Sequence, residues 1–156
     1  MYYSIDKDKI IINSSHKDFN KYDLSEALSH EIIHMIDNRN NISDKLDIEN
    51  DLRRADIYIN TNSNKYNNMF RQDKYAKNMT LSDIFSAITN NKVVGKIGHD
   101  ETYWNEDETR RIKEISANIM SAYLNNNKET IEIIESINSL KKIKEKVVKK
   151  YNDYTR

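Results

Sequence analysis

The chain contains no cysteine, no proline and only 2 glycines among its 156 residues. Without cysteine it can form neither a disulfide nor a thiolate metal site, so His, Asp and Glu are left as metal ligands. Because proline is absent and glycine is scarce, few positions interrupt regular structure, and long helices are expected. The length fits a single domain with its own core, which a longer protein could also carry as one of its parts.

An excess of one charge and long apolar runs are also missing. The sequence has 25 basic and 25 acidic residues and a formal net charge of +0, so it favours no polyanionic partner, nucleic acid included. Mean hydropathy is −0.88, and no apolar run approaches the length of a membrane-spanning helix. Since no charged-then-apolar leader follows Met1, we expect no membrane association and a cytoplasmic location.

The order of apolar and polar patterns predicts an α+β fold dominated by helices, with a short hairpin or small sheet at the N-terminus. Strands are expected at Tyr2–Ile5 and Lys9–Asn13, around the turn Asp6-Lys7-Asp8. Helices are predicted over Leu24–Asn38, Asp44–Ile59, Leu81–Thr89 and Asp107–Leu124, and one or two charged helices follow as far as Tyr154. A polar loop is expected at Asn60–Asn68, and a short strand or turn at Lys92–Ile97.

Short polar residues ahead of apolar runs mark the expected helix starts. Asp23 and Glu26 form a capping-box pattern before the first helix, and Tyr22 could pack against its first turn. Ser43 is the expected cap of the second helix. Thr80 and Asp83 repeat the capping-box pattern at the start of the third helix.

The most informative pattern lies inside the first predicted helix, where His30, Glu31 and His34 spell H-E-x-x-H. Residues four apart on a helix lie on one face, so both imidazoles can bind the same zinc ion. The Glu31 carboxylate, next to the first histidine, can take a proton from the water that attacks a peptide bond. The alternative is a surface helix that carries two histidines by chance. The pattern predicts a zinc peptidase.

Helical geometry places Asp37 on the same face as the two histidines. At about 100° per residue, His30, His34 and Asp37 fall within roughly 60° of one another around the helix axis. Asp37 is therefore expected either to fix the tautomer of His34 through a hydrogen bond or to be solvated at the helix end. The expected buried face, on the opposite side, comprises Leu24, Leu28, Ile32, Met35 and Ile36.

A zinc peptidase needs a third protein ligand, and Glu114 is the first candidate. It lies in a predicted helix whose expected buried face comprises Ile112, Ile115, Ile119 and Met120. Asn118, one turn later on the same face as Glu114, could hydrogen-bond a ligand. The alternative is that Glu114 is one of many exposed helix carboxylates.

His99 stands in a glycine-flanked segment, and Tyr103 follows four residues later. Negative charge builds up on the carbonyl oxygen during peptide hydrolysis, and an imidazole N–H or a Tyr hydroxyl can stabilise it. His99 and Tyr103 are therefore candidate oxyanion donors or substrate contacts, and His99 could replace Glu114 as a ligand. A structural role stays open, with His99 as a helix cap and Tyr103 and Trp104 in the core.

Three further segments, downstream of H-E-x-x-H-x-I-D, resemble a known kind of domain. They are Leu81-Ser-Asp-Ile-Phe-Ser-Ala-Ile-Thr-Asn-Asn, Gly98-His-Asp-x-x-Tyr-Trp and Glu114-Ile-Ser-Ala-Asn-Ile-Met-Ser. Over roughly Leu24–Tyr151 the chain is similar to the carboxy-terminal zincin-like domain of phage minor head (head-morphogenesis) proteins, which also occurs among toxin-type metallopeptidases. It departs from that pattern at Ile115-Ser116, where an aromatic residue is usual, and at Ile33, where glycine commonly precedes the second histidine.

The resemblance implies a zincin fold of the glutamate type. In such a fold His30, His34 and Glu114 bind Zn²⁺ and Glu31 is the general base. The resemblance also implies a virion-associated protein as an alternative to a cytoplasmic one, with phage capsid or head proteins as candidate partners.

The expected function is zinc-dependent hydrolysis of a peptide or protein substrate. Two other classes of protein stay open. The first is a non-catalytic phage-head structural or effector module in which zinc only stabilises the fold. The second is a nucleic-acid-binding module, suggested by the lysines between Lys141 and Lys150, although a solvated helix face is the commoner meaning of such a run.

Overall fold

The computed structural model describes residues 1–15, 24–106 and 108–154, and helices dominate these residues. Two strands, β1 (Tyr2–Ser4) and β2 (Lys9–Ile11), come first. The helices are α1 (Leu24–Asn40), α2 (Glu49–Thr61), α3 (Ser63–Phe70), α4 (Asp73–Ala76), α5 (Met79–Thr89), α6 (Glu101–Glu106), α7 (Glu108–Leu124), α8 (Lys128–Ser136) and α9 (Asn138–Tyr154). The predicted α+β class with an N-terminal hairpin is confirmed. No helix within these ranges is long and apolar enough to cross a bilayer.

The hairpin of β1 and β2 is attached to helix α1. The strands are antiparallel, and Tyr3 stands opposite Ile10. The turn holds Asp8 at φ 47°, a left-handed conformation that aspartate adopts more readily than most residues. Arg39, near the end of α1, donates to the Asp8 carboxylate at 2.7 Å, and the Tyr3 hydroxyl donates to the same group at 2.7 Å. The hairpin is therefore fixed beside the helix that carries the H-E-x-x-H pattern.

The core lies where α1, α5 and α7 pack together, and α2 and α9 pack against them. Helix α5 is buried from Thr80 to Thr89, and α7 is buried at residues 114–122. The ring of Phe85 makes edge-to-face contacts with Tyr66 and Phe70, at centroid distances of 5.0 and 5.6 Å. Polar side chains on α7 are thus removed from bulk water, which strengthens their interactions with nearby charges.

The predicted start of the second helix and the polar loop predicted after that helix are both wrong. Ser43 lies in a short 3₁₀ turn, Ser43–Lys45, and α2 begins only at Glu49. The predicted polar loop Asn60–Asn68 is largely helical, because α3 covers residues 63–70. Its Tyr66, Met69 and Phe70 are buried. Burial of this apolar face outweighs the low helix propensity of the asparagines around it.

The start of α5 is close to its predicted place, but the expected capping box is wrong. The cap is Asn78, whose side chain accepts from the Leu81 N–H at 2.9 Å. The Thr80 hydroxyl instead donates to Glu26 of α1 at 2.7 Å, and Asp83 accepts from the backbone of His99. Residues 92–97 form irregular turns and no strand. The predicted roles of Tyr22 and Asp23 lie outside the described residues.

The expected buried face of α1 is wrong at its N-terminal end, although Ile36 packs against the core as predicted. Leu24 and Leu28 are 44% and 38% exposed, whereas Ile33 and Asp37 are each 2% exposed. The cause is tertiary: α1 packs against α7 and the hairpin. The buried side of α1 therefore adjoins the histidines instead of lying opposite them.

Asp37 anchors the turn that follows α1. Its carboxylate accepts hydrogen bonds from the Ser43 N–H, at 2.6 Å, and from the Ser43 hydroxyl. Within the described residues no hydrogen bond joins Asp37 to His34. Asp37 thus holds Ser43 in place, contrary to the expected role at His34 and to the solvated alternative.

We expect Asp37→Ala to lower the free energy of unfolding by about 2–3 kcal/mol, because two buried donors of Ser43 would lose their acceptor. Urea denaturation followed by circular dichroism measures the change. Asp44→Ala, at an exposed position of the same turn, is the control and should stay within about 0.5 kcal/mol of the parent. Equal stabilities of the two variants would contradict the anchoring role.

Candidate metal centre

Three side chains from two helices bring their donor atoms together. The Nε2 atoms of His30 and His34 are 2.9 Å apart. Glu114 Oε2 lies 3.2 Å from His30 Nε2, and Glu114 Oε1 lies 3.4 Å from His34 Nε2. Donors about 2.0–2.1 Å from one tetrahedral zinc ion would be about 3.3–3.4 Å from each other. The observed spacing is close to that value, so His30, His34 and Glu114 can hold a metal ion.

The helices explain why these residues meet. His30 and His34 are one turn apart on α1, and their rings are nearly perpendicular, with centroids 4.5 Å apart. Glu114 projects from α7, whose Ile115, Ile119 and Met120 are buried as predicted. The packing of α7 against α1 places the carboxylate opposite the two imidazoles.

The environment of Glu114 fits a cation. This residue is only 6% exposed, and its Oε2 atom has no well-aligned hydrogen bond from any residue that the structure describes. Burial alone would raise the pKa of Glu114, but the hydrogen bonds and charges of His30 and His34 hold this pKa well below its ordinary value. The carboxylate is therefore ionised and buried, and its Oε2 atom is available to bind a metal ion.

His34 responds to the same carboxylate. Its burial disfavours the imidazolium form, but the hydrogen bond and charge of Glu114, with the charges of Glu31 and Asp37, raise the pKa of His34 above its usual value. In the absence of a cation a proton on the imidazole can balance the buried carboxylate. A metal ion bound there would take the place of that proton.

Glu31 lies beside the three donors but is held by another element. Its Oε2 atom accepts from the backbone N–H of Tyr3 in β1 at 2.7 Å. Because Tyr3 directs this N–H away from β2, the outer edge of the hairpin fixes the carboxylate. Sequence reasoning missed Tyr3, and nothing in the residue type points to it, since the donor is a backbone group.

Tyr103 contacts Glu114, one of the three candidate ligands. Its hydroxyl donates to Glu114 Oε1 at 2.6 Å. Burial first, and then the charge and hydrogen bond of Glu114, raise the pKa of Tyr103, so the hydroxyl keeps its proton. The Arg110 guanidinium lies over the Tyr103 ring, 5.0 Å from its centroid. Tyr103 is thus placed to orient Glu114.

His99 supports Tyr103 and is itself held by Asp83. The rings of His99 and Tyr103 are stacked, with centroids 3.9 Å apart. Asp83, which is 3% exposed, accepts from the His99 N–H at 2.8 Å and lies 3.3 Å from His99 Nδ1. Burial would lower the pKa of His99, but the hydrogen bond and charge of Asp83 outweigh it and raise this pKa. The converging donor set contains Glu114 and not His99.

The glycine before His99 is needed for this arrangement. Gly98 has φ 153°, and a Cβ atom there would lie 2.7 Å from Asp83 Oδ1. Sequence reasoning treated Asp83 as a helix cap and missed its contact with His99. The glycine next to His99 was the available signal of a close approach.

Asn118 hydrogen-bonds Glu114, the candidate third ligand, but through the backbone and not the side chain. Its side-chain amide donates to the backbone carbonyl of Glu114 at 2.9 Å, one turn back along α7. It therefore contacts the residue that carries the third donor but not the carboxylate itself. The bond satisfies a buried polar side chain within the helix.

A cleft of about 510 Å³ opens at the three donors. The hairpin forms one wall with Met1, Tyr2 and Ile5, and α7 contributes Arg110 and Lys113. His30, Glu31, His34, His99, Tyr103 and Glu114 all line it. The candidate ligands, the candidate base and the two candidate oxyanion donors therefore share one space that a peptide could enter.

We expect Tyr103→Phe to weaken zinc binding about 10–100-fold, because Glu114 would lose the hydroxyl that orients it. Competition with a chromophoric chelator measures the affinity. Tyr123→Phe, at an exposed position of α7, the helix that carries Glu114, is the matched control and should bind zinc as the parent does. Identical affinities for the two variants would show that the hydroxyl is not needed to hold the carboxylate.

Comparison with known proteins adds no relative: no family model, no curated protein and no solved structure matches this chain.

Proposed function

We propose that this protein is a zinc-dependent metallopeptidase that hydrolyses peptide bonds in a peptide or protein substrate. One observation carries the proposal: the donor atoms of His30, His34 and Glu114 converge within 4.8 Å of one another, with Glu31 next to the first of them. Three protein donors leave a coordination position open, which is the arrangement of catalytic zinc sites and not of structural ones.

The donor set favours zinc. Two imidazole nitrogens and one carboxylate oxygen are typical ligands of catalytic Zn²⁺, whereas Mg²⁺ and Ca²⁺ prefer oxygen ligands alone. When bound, zinc would lower the pKa of a water molecule towards about 7 and would polarise the carbonyl of the peptide bond.

In the proposed hydrolysis one residue near the ion transfers protons, and others hold that residue and the third ligand in place. Glu31 takes a proton from the attacking water and delivers it to the leaving amine, so that it acts first as a base and then as an acid. The N–H of Tyr3 keeps the Glu31 carboxylate in place for both steps. The Tyr103 hydroxyl, bound to Glu114, orients the third ligand.

His99 is the favoured donor to the oxyanion. Its Nδ1 atom faces the Asp83 carboxylate and would hold a proton there, so Nε2 can donate in the cleft when His99 is an imidazolium, the form that its raised pKa favours. A fixed N–H aimed at the developing negative charge would stabilise the transition state. Tyr103 remains a second donor if its hydroxyl leaves Glu114 when substrate binds.

The zincin fold and the resemblance to phage head-morphogenesis and toxin-type domains belong to this proposal. A hairpin beside the H-E-x-x-H helix and a Glu on a later helix that packs against it support them. Phage capsid or head proteins are the partners that this resemblance suggests, in a virion-associated or cytoplasmic setting.

Two other classes of function are less well supported. A zinc site that only stabilised the fold would have no use for a carboxylate fixed beside the ligands as Glu31 is. In the basic run of α9, Lys144 pairs with Glu135, and Lys146 pairs with Asp51 at 2.8 Å. These lysines take part in the fold, which leaves fewer for a nucleic-acid surface.

The proposal is tested with a mixed peptide library and mass spectrometry. We expect cleavage when the chain is loaded with one equivalent of zinc, no cleavage after treatment with a chelator, and recovery when zinc is restored. A chain that binds zinc stoichiometrically but cleaves no peptide would favour the structural alternative.

A further inference from the structure

A second cleft, of about 350 Å³, lies between α2 and the start of α9, and it shares no residue with the metal-centre cleft. Helix α2 contributes Asp51, Arg54 and Tyr58. The junction of α8 and α9 contributes Ser136, Ile137, Asn138, Ser139 and Lys142. The mechanism proposed above uses none of these side chains.

The cleft contains a helix N-terminus with no side-chain cap. Ile137 precedes α9 in an extended conformation, and its apolar side chain cannot accept a hydrogen bond. By contrast, Asn78 and Asn127 cap α5 and α8 with their side-chain oxygens. The first backbone N–H groups of α9, at residues 138–140, have no acceptor among the residues that the structure describes. Such groups carry partial positive charge and attract anions.

The Ser139 side chain at the same place also has no partner among the described residues. Ser139 is only 9% exposed, lines the cleft, and makes no side-chain hydrogen bond with any described residue. Its hydroxyl lies at the cleft without a protein acceptor and is therefore available to donate to a ligand atom.

Positive charge is in excess here. Arg54 and Lys142 both line the cleft, and neither forms an ion pair within the described ranges. The one acidic lining residue, Asp51, is neutralised by Lys146, whose Nζ atom lies 2.8 Å from its carboxylate. The carboxylate therefore does not cancel the field of the two cations.

We propose that this cleft binds a phosphate group. The N–H groups of residues 138–140 and the Ser139 hydroxyl would donate to its oxygens, and Arg54 and Lys142 would pair with its charge. A phosphate group suits the site because its several acceptor oxygens can use donors that converge from two helices. The site is independent of the metal centre and of the peptidase proposal.

Nuclear magnetic resonance of the full chain, loaded with one equivalent of zinc, tests the site. Inorganic phosphate is titrated against sodium chloride at matched ionic strength. We expect saturable shifts in the amide signals of residues 138–140 with phosphate and no comparable shifts with chloride. Amide signals near His30 and His34 report separately on any phosphate at the metal centre.

Two variants with equal charge changes complete the test. The double variant Arg54→Gln/Lys142→Gln should raise the phosphate dissociation constant roughly tenfold or more. Arg53→Gln/Lys149→Gln removes two exposed cations from the same two helices and should leave the dissociation constant unchanged. Ser139→Ala should weaken binding without loss of folding.

Three results would overturn the proposal. They are no response of the residue 138–140 amides to phosphate, equal shifts of these amides with chloride, and equal weakening of phosphate binding by the two double variants. The last two results would indicate unspecific attraction to a basic surface.

Discussion

Replacing Glu31 with Gln is expected to leave zinc binding intact and to lower peptide cleavage by roughly 10²–10⁴-fold. Glutamine has nearly the same shape and can still accept from the Tyr3 N–H, so the local structure should persist. It cannot take a proton from water at neutral pH. The change therefore removes the base and little else.

The measurement compares initial rates of cleavage and zinc content for the parent and two variants. Glu49→Gln, at an exposed position in the first turn of α2, is the control and should cleave at the parent rate. Cleavage by Glu31→Gln at the parent rate, with zinc bound, would exclude Glu31 as the base.

Replacing any one of His30, His34 or Glu114 with Ala is expected to abolish stoichiometric zinc binding. The stability that zinc adds should disappear with it. For the parent, zinc at about 100 times its dissociation constant should raise the free energy of unfolding by about 2.7 kcal/mol, because the ion binds only the folded chain. Each variant should show little or no such increase.

Elemental analysis and thermal unfolding with and without zinc measure these effects. His99→Ala is the informative control, because it separates Glu114 from the other candidate for third ligand. We expect this variant to keep its zinc, since His99 lies outside the converging donor set. Loss of zinc from His99→Ala together with its retention in Glu114→Ala would reverse the assignment of the third ligand.

Part of the fold behind these two predictions could be predicted from the sequence. The helix that carries His30 and His34 could be predicted because spacing along a single helix fixes which residues share a face. The structure confirms that helix, which extends two residues beyond its predicted end at Asn38. The hairpin strands and the late helices of the chain were also predictable from local patterns.

Other features depended on contacts between distant segments. The burial of Ile33 and Asp37, and the exposure of Leu24 and Leu28, follow from where α7 and the hairpin contact α1. Helix α3 forms because its apolar residues reach a core that a local pattern of asparagines does not reveal. Periodicity shows that a helix has two faces, but it does not show which neighbour will cover each.

The sequence by itself determined that the imidazoles of His30 and His34 lie on one helix face, with the Glu31 carboxylate next to the first of them. The reason is that an α-helix holds residues four apart at a fixed spacing. Glu114 was the first candidate for the third ligand from the sequence, but only the tertiary structure brought its carboxylate to the imidazoles, Tyr103 to that carboxylate, and Asp83 to His99. It also brought the backbone of Tyr3 to Glu31 across 28 residues. Hydrogen bonds between distant segments arise only when packed helices fix both partners, and no local pattern encodes that packing.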